Sequence, residues 1–122
     1  MKVLLIPPGA APQVLEIKHT LKAMQEVVGG TIEAVYPFDD TVALVCHDEG
    51  NLLGLPLNRA VRDPATGQVL DIIAGIFFIC GLSEDDFASL SDEQIHRYSQ
   101  MFRHPEAFIQ SDSQIVIFQM EA

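Results

Sequence analysis

Apolar positions along this chain fall into short blocks, and the spacing inside each block separates strands from helices. Lys2–Ile6 is apolar on both alternating faces, which predicts a central strand ended by Pro7-Pro8-Gly9. Val14–Ile17 is a second, brief strand candidate. Leu21, Met24 and Val28 recur at helical spacing behind Thr20, an N-cap residue type, and Gly29-Gly30 supplies the stop. Thr31–Tyr36 alternates, with Ile32, Ala34 and Tyr36 on one face, and Pro37-Phe38-Asp39-Asp40 turns it back into the apolar run Val42–Cys46. These two predict an antiparallel hairpin.

The middle of the chain is less regular. Asp48-Glu49-Gly50-Asn51 has turn chemistry, and Gly54 and Pro56 break Leu52–Leu57 into an irregular connection. A helical turn is expected around Leu57–Val61. Arg62–Gln68 reads as a polar loop, and Val69–Ile73 and Ile76–Cys80 as strands flanking a bend at Ala74-Gly75. Ser83-Glu84-Asp85-Asp86 followed by Phe87 and Leu90 looks like a helix start. Ser91 with Gln94 forms a capping box, and Ile95, Tyr98 and Phe102 give the stripe of the helix behind it, which Pro105 stops. Ala107–Gln110 and Gln114–Met120 close the chain as a hairpin around Ser111-Asp112-Ser113. The prediction is an α+β fold: a mainly antiparallel sheet of about six strands with two or three helices, in one compact domain spanning 1–122.

Composition sharpens this. Hydrophobic residues make up 48% and charged residues 20% of 122 residues, the balance of a globular chain able to bury its own core. No secretory signal and no apolar run long enough to span a membrane is evident, so a soluble, cytoplasmic protein is expected. Cys46 and Cys80 lie inside apolar runs and read as reduced core thiols, with a cross-strand disulfide as the alternative.

The formal charge is −10, and residues 62–122 hold 10 acids against 3 bases. That excludes direct binding to a nucleic-acid backbone, which needs a basic face. It permits a basic protein partner. Glu84, Asp85, Asp86, Asp92 and Glu93 are the candidate acidic interaction face; carboxylates held on a rigid face would imitate phosphates, and a solvated helix start is the plain alternative.

The candidate binding residues are His47, Asp48, Glu49, Asn58 and Arg59. Asn58 offers donor and acceptor, and Arg59 a planar fork of donors. In an acidic chain such an arginine serves as receptor for a small anionic ligand or locks a loop through an internal carboxylate. Asp71, if buried, would need Arg59 or Arg62. A hydrolase-type reading would use His47 as base with Asp48 or Glu49 orienting it. No nucleophile elbow, zinc motif or phosphate loop accompanies it, and Cys46 alternates to the opposite strand face. Neither metal nor cofactor is expected. His96 and His104 read as surface residues, and the oligomeric state is open.

Val28-Gly29-Gly30-Thr31-Ile32-Glu33, Asp48-Glu49-Gly50, Gly54-Leu55-Pro56-Leu57-Asn58-Arg59-Ala60 and Ile73-Ala74-Gly75-Ile76-Phe77-Phe78-Ile79-Cys80-Gly81 occur here in that order. Together they resemble the family labelled domain of unknown function 3846, over roughly residues 3 to 118. The resemblance implies a compact intracellular protein of bacterial mobile elements or phage. It brings no established activity and no catalytic residue. The expectation is a non-enzymatic binding or interaction protein of a mobile element, with a basic host protein as partner; the alternative is a small anionic-ligand binder using Asn58 and Arg59.

Overall fold

The most apolar stretch of the chain becomes the middle of the main sheet. In the computed structural model, which describes residues 1–121, strand β7 (Phe77–Leu82) lies between β1 (Lys2–Ile6) and β4 (Val42–His47). The outer strands are β2 (Gln13–Glu16) beside β1 and β3 (Ile32–Val35) beside β4, giving the order β2-β1-β7-β4-β3. The two-residue strand β8 (Phe87–Ala88) adds to β7 as a sixth member, and every pairing is antiparallel. Two hairpins stand outside this sheet: β5 (Leu57–Arg62) with β6 (Val69–Ala74), and β9 (Glu106–Ser111) with β10 (Gln114–Gln119). The α+β class and the antiparallel sheet are as the sequence predicts.

Both faces of the sheet are covered, which explains why its inner strands are apolar throughout. On one face Val3, Ala43, Val45, Phe78 and Cys80 meet Met24 and Val28 of helix α1 (Leu21–Val28). Thr20 caps that helix by accepting from Ala23 N–H at 3.1 Å, and Gly29 ends it at φ 83°, a conformation that costs a side chain-bearing residue about 1–2 kcal/mol. On the other face Leu4, Ile6, Leu44, Phe77 and Ile79 meet Val61 and Ile73 of the β5–β6 hairpin. They also meet Tyr98 and Phe102 at the end of helix α2 (Asp92–Met101). Phe102 sits edge-on to Phe77 with ring centroids 5.7 Å apart. The Ser91–Gln94 capping box is formed in both directions, at 3.0 and 3.1 Å.

Two expected helical segments are not helices. Leu57–Arg62 is strand β5, because Asn58 is an extra residue in its ladder: Leu57 faces Ala74 and Arg59 faces Ile73, leaving Asn58 unpaired. The bulge turns two consecutive polar side chains inward where a regular strand would split them between its faces. Ser83–Asp86 is a tight turn rather than a helix start. The amide of Ser83 donates to the Asp86 carbonyl at 2.8 Å, and β8 follows.

Candidate functional site

Asn58 and Arg59 are fully buried, and their hydrogen bonds account for that placement. The Asn58 amide donates to the carbonyls of Ile6 at 2.8 Å and Gly75 at 2.9 Å, and its Oδ1 accepts from Arg59 at 2.9 Å. The Arg59 guanidinium donates to Phe102 O from Nε at 3.2 Å and from a terminal nitrogen at 3.0 Å. It reaches Ala10 O at 2.6 Å and Pro7 O at 3.3 Å. All five N–H groups are engaged. Burial presses the guanidinium below its ordinary basicity, and the Glu106 carboxylate works against that.

This corrects one expectation and leaves the condition of another unmet. Arg59 does lock a loop, but through main-chain carbonyls rather than a carboxylate, and it presents no donors to an anion. Asp71 is exposed, accepts from the Ile72 amide at 2.8 Å, and pairs with neither Arg59 nor Arg62. Arg62 instead bonds Glu106 at 2.9 Å. Glu106 is buried, and its other oxygen accepts from the Ala60 amide at 2.9 Å. The sequence reading did not single it out; a lone acid opening an apolar strand after Pro105 was the available signal. Arg62, His104, Phe102, Gln119 and Glu106 help line a cavity of about 250 Å³.

His47, Asp48 and Glu49 do come together, around a small acidic cavity of about 80 Å³ that Glu33, Cys46 and Asp71 also line. The His47 ring packs against Gly30, which has no room there for a Cβ. Its Nδ1 accepts from the Glu49 amide at 3.0 Å, so the ring proton sits on Nε2. The Asp48 carboxylate, 3.7 Å from Nδ1, has no ring N–H to accept from; it accepts from the Thr31 hydroxyl instead. The His–Asp arrangement needed for a base with an orienting acid is therefore not formed. Burial, with Glu33, Asp71 and Asp48 adding to it, pushes the Cys46 thiol up to about 11. Burial likewise pushes Cys80 up to about 12, despite a hydrogen bond from Ala43 that favours its thiolate. Neither is an activated nucleophile. The two thiols are free and pack in the clusters on opposite faces of the sheet, which rules out the disulfide alternative. Among the described residues no group of three His, Cys, Asp or Glu side chains is arranged to hold a metal ion.

The acidic candidates divide into two groups. Glu84, Asp85 and Asp86 form the β7–β8 turn, whose flanking Leu82 and Phe87 pack with the α1-side cluster. Asp92 and Glu93 open α2, which packs on the other face. The residues that anchor the two groups pack on opposite faces of the sheet. Glu93 is paired with Arg97 at 2.9 Å, and Arg97 also holds Asp40 at 2.5 Å. Asp86 meets His19 at 3.2 Å. Among the described residues Glu84 and Asp85 have no ion-pair partner. They line a depression of about 400 Å³ with Leu82, Phe87 and the exposed ring of Tyr36.

The sequence profile of the family described as Domain of unknown function (DUF3846) matches residues 1–103, and the chain belongs to that family. The match ends before the β9–β10 hairpin. No curated protein and no solved structure matches the chain. No helix of the described residues is long and apolar enough to cross a membrane.

Proposed function

We propose that this member of the family is a non-enzymatic, cytoplasmic interaction protein of a bacterial mobile element or phage. Its acidic turn Glu84–Asp86, beside Tyr36, receives a Lys- or Arg-bearing segment of a basic protein partner. One observation carries the reading: the depression that combines unpaired carboxylates with an exposed aromatic ring. A cationic side chain entering it gains charge-assisted hydrogen bonds from Glu84 and Asp85 and a cation–π contact on Tyr36. The turn is held by the Ser83 and Phe87 amides, so the carboxylates are already placed. The remaining negative charge steers a basic partner without fixing its orientation.

The test is titration of a fluorescent Arg/Lys-rich peptide at low and physiological salt, with a neutral peptide of equal length as control. Each exposed charge pair contributes about 0.2–1 kcal/mol, so Glu84→Gln with Asp85→Asn weakens binding about two- to thirtyfold. Tyr36→Ala weakens it further, and binding falls as salt rises. Equal binding by wild type and the double variant at low salt would overturn the assignment.

The small-anion alternative loses Asn58 and Arg59, whose donors are consumed. What favours it is the cavity beside β5, which Arg62, paired with Glu106, lines together with His104, Phe102 and Met101. Saturable binding of a small aromatic carboxylate that Arg62→Met abolishes would move the function there.

A further inference from the structure

We propose that β10 is a self-association edge, through which two copies of this chain pair antiparallel into one four-stranded sheet. The β9–β10 hairpin is paired within itself only, and a two-stranded ribbon is marginal in water. It is anchored at its base, where Glu106 takes the Ala60 amide and the Arg62 guanidinium. Beyond that base it carries exposed apolar side chains: Ile109, Ile115, Val116, Phe118 and Met120 are 38–52% exposed.

The hydrogen-bond parity of β10 defines the edge. Met120 N–H donates to Pro105 O at 2.7 Å, and Gln114 faces Ser111 across the turn. Even-numbered residues therefore bond toward β9, and Ile115, Ile117 and Gln119 turn their N–H and C=O groups outward. Among the described residues these outward groups have no partner. The edge lacks every usual protection: no Lys, no Pro and no bulge interrupts it.

Charge selects the occupant. A chain of formal charge −10 repels its own copies almost everywhere, yet from Ala107 to Met120 the only formal charge is Asp112, at the turn. A second copy meets no repulsion along the edge, and a basic partner finds nothing there to attract it. The edge is also self-complementary. With a two-fold axis at Ile117, Ile115 of one copy faces Gln119 of the other, Ile117 faces Ile117, and Val116 packs beside Phe118. Asp112 and Glu121 lie at the solvated ends. A six-residue strand offers an edge of about 20 Å, at the small end of specific interfaces, so the dimer is concentration-dependent with a dissociation constant of about micromolar order. Pairing consumes both β10 edges, so association through this edge closes at two.

Sedimentation velocity of the full chain, from about 1 μM to about 1 mM, tests this. The expected result is a monomer–dimer equilibrium that moves at least tenfold toward monomer in Ile115→Lys. Ile117→Pro, which removes an outward N–H unused within the hairpin, does the same, with thermal melting of both variants unchanged at monomeric concentrations. A chain that stays monomeric throughout, a dimer indifferent to both substitutions, or open-ended polymer overturns the proposal.

Discussion

Replacing Arg59 by Met keeps most of the apolar stem and removes the guanidinium, so it isolates what the buried fork does. Arg59 ties two distant segments to β5: the end of α2 through Phe102 O, and the chain leaving β1 through Pro7 O and Ala10 O. Two terms compete. Removing a buried charge relieves a desolvation penalty of several kcal/mol. It also orphans the Phe102 and Ala10 carbonyls, at about 1–3 kcal/mol each, and loses net bonds to a charged donor at about 1.5–3 kcal/mol each. With five donors engaged the second term wins, and the expected loss is about 3–5 kcal/mol. For 122 residues, total stability of about 6–18 kcal/mol makes that a large share. Urea unfolding followed by circular dichroism should show the midpoint fall by about 2 M with the slope unchanged. Arg59→Lys should lose nearly as much, because an ammonium cannot span the same carbonyls. Asn58→Ala should cost about 2–4 kcal/mol and couple to Arg59→Met by about 1 kcal/mol or more, through their shared bond. An Arg59→Met protein within about 1 kcal/mol of wild type would refute the clamp and return Arg59 to the search for a ligand.

Four further outcomes are expected. Burial, with the Asp40 hydrogen bond and charge behind it, pushes Tyr98 up to about 12, so stability complete below about pH 10 should fall as pH rises toward 12; tyrosine absorbance titration in a Tyr36→Phe background checks it. Burial raises the Asp40 carboxyl, but hydrogen bonds from Tyr98, Thr41 and Gln94 and the charge of Arg97 hold it lower on balance. Its contribution is present above about pH 4 and lost as pH falls through its depressed value, and Asp40→Asn should flatten both limbs of a stability–pH curve. Cys46 and Cys80 should react with an aromatic disulfide reagent only in step with unfolding; fast labelling of either in the native protein would contradict their packing. Glu106→Gln keeps one acceptor for Ala60 N–H but leaves Arg62 unpaired, and should cost about 1–3 kcal/mol, read as earlier hydrogen-exchange opening of β9 and β10.

Eight of the ten strands and both helices were legible because burial on one or two faces writes itself into residue spacing. The Thr20 and Ser91 caps worked the same way, since each satisfies a local donor. What stayed hidden depended on partners far along the chain. Asn58-Arg59 looked like a loop or a helical turn, because consecutive buried polar residues fit no strand pattern; the bulge that reconciles them lives in the register with β6. Arg59 drew attention as an unusual cation, but its partners are carbonyls, which carry no residue identity for a sequence to display. The acidic face read as one run from 84 to 93, and the β8 strand divides it between a turn and a helix start. The alternation of Gln114–Met120 was plain; that nothing in the chain covers it was visible only once the other elements had found partners.

The strand order sets the sequence of events in folding. Two local hairpins, β1–β2 and β3–β4, close over short loops, but each leaves its inner edge open until β7 arrives between them, with Leu4 waiting for Ile79 and Leu44 for the same residue. On a ribosome the first strand is synthesised some seventy residues before its partner, so the sheet cannot assemble until most of the chain has emerged. Phe77–Leu82 is a keystone in time as well as in space. Substitutions there should slow folding, whereas those in the β9–β10 hairpin should chiefly hasten its loss.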